Sequence, residues 1–411
     1  MQNLRIDQER LWQSLMAMAE IGATAKGGSK RLALSDLDRA GRDLFVRWCK
    51  EAGCSVAVDR MGNIFARRAG RRRDLAPVVT GSHLDTQPTG GRFDGVYGVL
   101  AGLEIIRTLN DAGYETDAPV EVVVWTNEEG ARFAPAMVGS GVFAGVFDEE
   151  YGHSRADLDG KTMGEELRRI GYLGTEKTGG RKLGAYFEAH IEQGPILEAE
   201  GKTVGVVQGI QGIRWFEVTV TGSESHAGTT PMDRRKDAML GCARIVDRIN
   251  RIALAHPPGV STVGIVQIGP GSRNTIPGNA FFTVDLRHPR DATLLEMKAE
   301  LEAATAEICG ALGLVAECKE IWWSPATEFD RDCVAAVRQA AAADGYAHRD
   351  IVSGAGHDAG YINRVAPTAM IFVPCADGIS HNEVESATPD DLAAGCNVLL
   401  RAMLDRAAAR S

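Results

Sequence analysis

His83, Asp85 and Asp94 lie in the glycine-rich stretch SHLDTQPTGGRFDGVYG, directly after the apolar run APVVTG. Charged side chains at the end of a buried strand are costly unless something pairs with them. Three further segments repeat the pattern. PVEVVVW is followed by TNEEG with Glu128 and Glu129, YFEA by HIEQGP with His190, and TAMIFVP by GISHNEVE with His381. Imidazoles and carboxylates in this mixture suit zinc, manganese or a similar divalent ion. With one shared carboxylate they suit two ions about 3.5–4 Å apart. A lone His at a strand end is more often structural, and paired Glu residues are common on surfaces. Four such sites at one sheet edge favour a metal centre. Asp85, two residues past His83, is placed to orient an imidazole. Adjacent Glu128 and Glu129 point different ways, so one can ligate while the other faces substrate.

The elements that must carry these residues alternate strand and helix. CSVAVDR and GNIFARR read as a strand pair, and APVVTGSHLDT, PVEVVVWTNEEG and YFEAHIEQGP as buried strands. GVYGVLAGLEIIRTLNDAG has helical apolar spacing and ends at Gly113, where a left-handed cap is expected. This alternation predicts a mostly parallel sheet with functional loops at the carboxyl ends of its strands. The middle of the chain reads β-α-β-β-α-β, the ferredoxin-like order. Its segments are IRWFEVTVTG, the helix in DRRKDAMLGCARIVDRINRIAL, the strands GVSTVGIVQIG and NAFFTVDLRHP, a second helix, and LVAECKEIWW. An α/β catalytic domain (1–211 and 326–411) with an inserted α+β domain (212–325) is therefore expected.

The chain has 411 residues and a formal net charge of −10, which argues against a partner with a phosphate backbone; no nucleic-acid role is expected. The basic run RRAGRRRD lies between strand-like segments and reads as a solvated loop. The amino terminus reads as an amphipathic helix rather than a signal peptide, and no window approaches a membrane span. Eight cysteines without a CxxC pair suggest reduced thiols and a cytoplasmic address.

GSHLDTQPTGGRFDGVYGVLAGLE, WTNEEGARF, HIEQGP, SHAGTTPMDRRKDA, NTIPG and SGAGHDAG together resemble the binuclear-metal amidohydrolases of the M20 superfamily. The resemblance spans nearly the whole chain. It is narrower still to the ureidohydrolase branch, because HIEQGP has His190 where dipeptidases and deacylases of the superfamily carry an acidic ligand. The resemblance implies that His83 and His190 hold one ion, Glu129 and His381 the other, and that Asp94 bridges them. It implies Glu128 as general base and two divalent ions per subunit (Zn, Mn, Co or Ni). The inserted domain would act as lid and build a homodimer, with His226 reaching the site of the partner subunit to steady the oxyanion.

Arg287 in VDLRHP is the natural bidentate partner for a substrate carboxylate, with Asn274 beside the same end of the ligand. Gln193 could hold the ureido group, and the backbone at Gly356 the carboxylate end. The bland alternatives are a turn former for Asn274 and a surface ion pair for Arg287. His357 and Asp358 read as support for the site. The expected reaction is hydrolysis of N-carbamoyl-L-amino acids to L-amino acid, CO2 and ammonia. Allantoate and N-carbamoyl-β-alanine share the same reacting group. An aminoacylase or dipeptidase would release no ammonia, and a non-catalytic binding protein would have no need of Glu128.

Overall fold

The computed structural model describes residues 4–408; the ends of the expected catalytic domain, 1–3 and 409–411, lie outside the described residues. The chain forms two compact units, one running up to Gly209 and resuming at Glu328, the other Ile210–Thr327. In the first unit lie β1 (Ser55–Val58), β2 (Ile64–Arg68), β3 (Val78–His83), β4 (Val120–Trp125), β5 (Ala185–Ile191) and, at the boundary, β6 (Val204–Ile210). The second holds β7 (Gly212–Thr221), β8 (Ser225–His226), β9 (Val260–Thr262), β10 (Val266–Gly269), β11 (Thr275–Ile276), β12 (Asn279–His288) and β13 (Val315–Ser324). The chain returns through β14 (Thr327–Glu328) to β15 (His348–Ser353) and β16 (Thr368–Val373). The break falls two residues outside the expected limits of 212 and 325 on each side, because β6 continues to Ile210 almost without interruption into β7.

The large sheet has the order β1-β2-β4-β3-β5-β16-β6, with β14 and β15 completing that edge. It is mixed rather than mostly parallel. The neighbours β4, β3, β5 and β16 run parallel, whereas β1–β2, β2–β4 and β16–β6 are antiparallel. For β1–β2 the reason is local: the two strands are joined by a connection too short for a crossover, so they form a hairpin. The four parallel strands are buried along their whole lengths. That explains their continuous apolar runs. The helix Val96–Asp111 packs on β3 and is buried almost all round, and Gly113 just beyond it has φ +58 as expected. Register aligns the carboxyl ends: His83 pairs with Trp125, and His190 with Phe372.

The second unit has the strand order β10-β12-β7-β13, with β9 also on β12. This is the ferredoxin-like arrangement, and one sheet face is packed by the helices Ala238–Ala255 and Asp291–Leu312. Alternate residues Phe216, Val218 and Val220 on β7 and Phe282, Val284 and Leu286 on β12 form its core. The single strand expected in GVSTVGIVQIG is split. Thr262 pairs with Asp285 but Val266 with Phe282, so one extra residue bulges out and separates β9 from β10.

Candidate metal centre

The carboxyl ends of β3, β4 and β5 deliver His83, the Glu128–Glu129 loop and His190 to one place, and the loop after β16 brings His381. Asp94 stands among them. Its Oδ1 lies 3.2 Å from His190 Nε2 and 3.6 Å from His83 Nε2, and its Oδ2 lies 3.5 Å from His381 Nε2. Glu129 Oε2 is 3.4 Å from His381 Nε2. Two of the three candidate ligand triplets, His83–Asp94–His190 and Asp94–Glu129–His381, share the Asp94 carboxylate; the third, Glu188–His190–His357, lies behind His190. Most of these separations exceed the roughly 2.7–3.2 Å of a good hydrogen bond. They match instead the spacing of about 3.3–3.6 Å between two atoms that each bind one tetrahedral ion at about 2.0–2.2 Å. The donor set thus fits divalent metal on both sides of Asp94.

Each imidazole is aimed by its other nitrogen. His83 Nδ1 contacts the Asp85 carbonyl and His190 Nδ1 the Ile191 carbonyl, both at 2.9 Å. Nδ1–H donation to a carbonyl leaves Nε2 unprotonated and able to ligate; in His190 that nitrogen also accepts the Gly95 N–H at 3.1 Å. Asp85 orients His83 as expected, but through its main-chain carbonyl, and its carboxylate has a separate role. It accepts the backbone N–H groups of Glu128 and Glu129, each at 3.3 Å, and so sets the loop bearing both carboxylates. Glu129 is held further by the Gln87 N–H at 3.1 Å and the Gln87 side chain at 2.7 Å. Glu128 is different. No hydrogen bond reaches its carboxylate among the described residues, and its Oε2 faces His83 Nε2 at 3.4 Å.

Gly95 is required here. Its φ is +67, and a Cβ on it would lie 2.3 Å from the His83 ring. Asn127, Gln193 and His381, all in the site loops, also adopt positive φ (59, 58 and 55). Such backbone strain concentrates where the surrounding structure must fix a functional geometry.

Electrostatics point the same way. Burial pushes the Glu128 carboxyl well above its usual range; His83 opposes this, while Asp358, Glu129 and Asp94 add to it. Burial, then Asp94, pushes Glu129 up to about 8. Asp94 itself is held well below the carboxylate range, because His190 and His83 outweigh its burial. Carboxyl groups so crowded in a buried cleft resist joint ionisation without added positive charge.

The remaining expected residues divide. Gln193 does sit at the centre: its amide donates to Asp94 Oδ2 at 2.8 Å, while its buried Oε1 has no partner among the described residues. Gly356 is half-buried in the loop between β15 and the helix Asp358–Ile362. His357 packs on His190 with ring centroids 4.6 Å apart and meets Ser353 Oγ at 3.0 Å, which makes it a support. Asp358 is buried beside Ser140. Within the second unit, His226 and Asn274 are brought together: Thr275 pairs with His226, and the Ala227 N–H donates to the Asn274 carbonyl at 2.9 Å. His226 Nδ1 accepts the N–H groups of Gly228 and Thr229, so its proton sits on Nε2. Arg287 forks onto Asp285, two residues back on β12. Sequence reasoning missed Gln87, Ser380 and Glu385, all of which contact candidate ligands. The last two flank His381 in GISHNEVE, and their proximity to a candidate ligand was the available signal.

Fold and site together are those of a metal-dependent hydrolase. Residues 79–405 match the family model Peptidase family M20/M25/M40, and the chain belongs to that family. The chain is 52% identical over 407 residues to the N-carbamoyl-L-amino-acid amidohydrolase of Rhizobium meliloti, covering 99% of this chain and 98% of that one. It is 33% identical to the allantoate amidohydrolase of Bacillus subtilis, with 93% of each chain covered. A crystal structure of an amidase of the hydantoinase/carbamoylase family from Burkholderia multivorans is similar at a TM-score of 0.93 and 65% identity, covering 99% of this chain and all of that one.

Proposed function

We propose that this enzyme hydrolyses the carbamoyl C–N bond of N-carbamoyl-L-amino acids, giving the L-amino acid, CO2 and ammonia. The hydrolytic reading is carried by Asp94, whose two oxygens face separate ligand sets with the unbonded Glu128 carboxylate alongside. The substrate class is supported by the Rhizobium relative, similar along the whole chain.

His83 and His190 would hold one divalent ion and Glu129 and His381 a second, with Asp94 contributing to both; zinc, manganese, cobalt and nickel all suit these donors. Ions bound there supply the charge that brings the pKa of water toward neutrality and polarises the ureido carbonyl. Glu128 takes a proton from the attacking water and passes it to the amino-acid nitrogen as that bond breaks. The carbamate left behind decomposes to CO2 and ammonia. Gln193 holds the ureido group. Arg287, Asn274 and the Gly356 backbone hold the carboxylate, Arg287 exchanging Asp285 for substrate. His226 donates its Nε2 proton to the developing oxyanion.

The unit Ile210–Thr327 serves as lid and homodimer contact, hinged near 210–213 and 325–330. The eight free thiols support a cytoplasmic address. No helix among the described residues is long and apolar enough to cross a membrane. Ammonia release at defined metal, measured as kcat/KM, tests the substrate class across N-carbamoyl-L-amino acids, N-carbamoyl-β-alanine and allantoate. The first class is expected to lead, and allantoate ahead by orders of magnitude would overturn the assignment.

A further inference from the structure

Glu385 is a fully buried carboxylate that the hydrolytic scheme does not use. Its Oε1 accepts the backbone N–H of Phe93 at 2.8 Å and of Asp94 at 3.2 Å. Its Oε2 lies 3.0 Å from Ser380 Oγ, and that hydroxyl lies 2.8 Å from Asp94 Oδ2. Glu385 therefore grips the residue facing both ligand sets in two ways, by its main chain and, through Ser380, by its carboxylate. Both Glu385 and Ser380 belong to the loop that carries His381. The contact is built closely: a Cβ on Gly91 would fall 2.0 Å from the Glu385 carboxyl carbon, so only glycine admits this side chain. Two loops whose contact spans 291 residues of sequence are thereby held together, one bearing Asp94, the other His381.

We propose that Glu385, acting with Ser380, is a positioning residue that fixes the Asp94 loop against the His381 loop and so sets the affinity of the ion on the Asp94–Glu129–His381 side. The proposal rests on the two-ion reading of the site. Its reach is biased to one side, because Ser380 meets Asp94 Oδ2, the oxygen facing His381, whereas His83 and His190 face Oδ1 and are aimed by carbonyls of their own segments.

The test is titration of chelator-stripped protein with Mn(II), free ion being read by electron paramagnetic resonance. Wild type should bind two ions, and His381→Ala should lose one, which identifies that site. Glu385→Gln keeps an acceptor for the two N–H groups but removes the negative charge and turns an amide donor toward Ser380 Oγ, reversing that contact. It should weaken the same ion about tenfold or more while leaving the other nearly unchanged. Ser380→Ala should weaken that ion to a smaller degree. A merely structural role would lower Tm and loosen both ions together, and that result overturns the proposal. So does a folded Glu385→Gln with both affinities intact. If Glu385→Gln does not fold, Ser380→Ala decides, and unchanged binding in it overturns the proposal. Fewer than two ions in wild type would defeat the two-ion reading instead.

Discussion

Asp94 and Glu128 divide the work of the site by what already binds them. Asp94 is surrounded by three imidazoles, the Gln193 amide and the Ser380 hydroxyl, so it is fixed and charged. Glu128 lacks such bonds and can move a proton. Glu128→Gln should therefore fold, bind metal as wild type does, and lose about 10²–10⁴-fold in kcat. Retained turnover would remove Glu128 from the chemistry. At this scale the candidate ligands were legible because most stand at or soon after an apolar run that ends in polar residues, with Asp94 beyond a glycine-rich turn. Asp85 was legible as the residue that aims His83, but spacing reveals neighbours along the chain, not which of two acceptors, carbonyl or carboxylate, meets the ring. Glu385 was hidden for a related reason. Its partners Phe93 and Asp94 are distant in sequence, and a Glu in a polar loop resembles any solvated residue.

The elements that hold the catalytic loops in place include more than sheet strands. Arg132, in the loop after β4, binds the Ala33 carbonyl at 3.0 Å, Asp157 Oδ2 at 3.0 Å and Glu166 Oε2 at 2.7 Å. Glu166 belongs to the helix Met163–Ile170, which opens with a capping box from Thr162 and Glu165. Burial would raise the Glu166 carboxyl, but hydrogen bonds from Arg169 and Arg132 outweigh it and hold the group below its usual range. A carboxyl depressed in the folded state contributes stability above its unfolded pKa and loses it as pH falls through the folded value. Glu166→Gln should then cost about 1–3 kcal/mol at pH 7, and the gap to wild type should close in acid. Urea midpoints at pH 7 and pH 3.5 would show this, and a gap independent of pH would contradict it. The strands themselves were readable from their apolar runs. The antiparallel edges and the β9–β10 bulge were not, since direction and register depend on partners that alternation along one strand does not name.

For the whole molecule, the chain's division into a large α/β unit and a ferredoxin-like insertion was legible from the change of pattern near residue 212. Assembly is a separate matter, because an interface draws on residues that read as ordinary surface. If His226 acts on the site of the partner subunit, inactive Glu128→Gln and His226→Ala proteins should complement each other. After unfolding and refolding together, half the dimers would be mixed, each with one complete site, restoring about a quarter of wild-type activity. No recovery would place His226 within its own subunit's site or outside catalysis. The central claim, however, is the pair of cations caged around Asp94. Anomalous diffraction from crystals of active, Mn(II)-loaded enzyme tests it most directly. Two peaks are predicted, one beside His83 and His190 and the other beside Glu129 and His381, with Asp94 between them. A fully active crystal with one peak, or none, at those side chains would contradict the account.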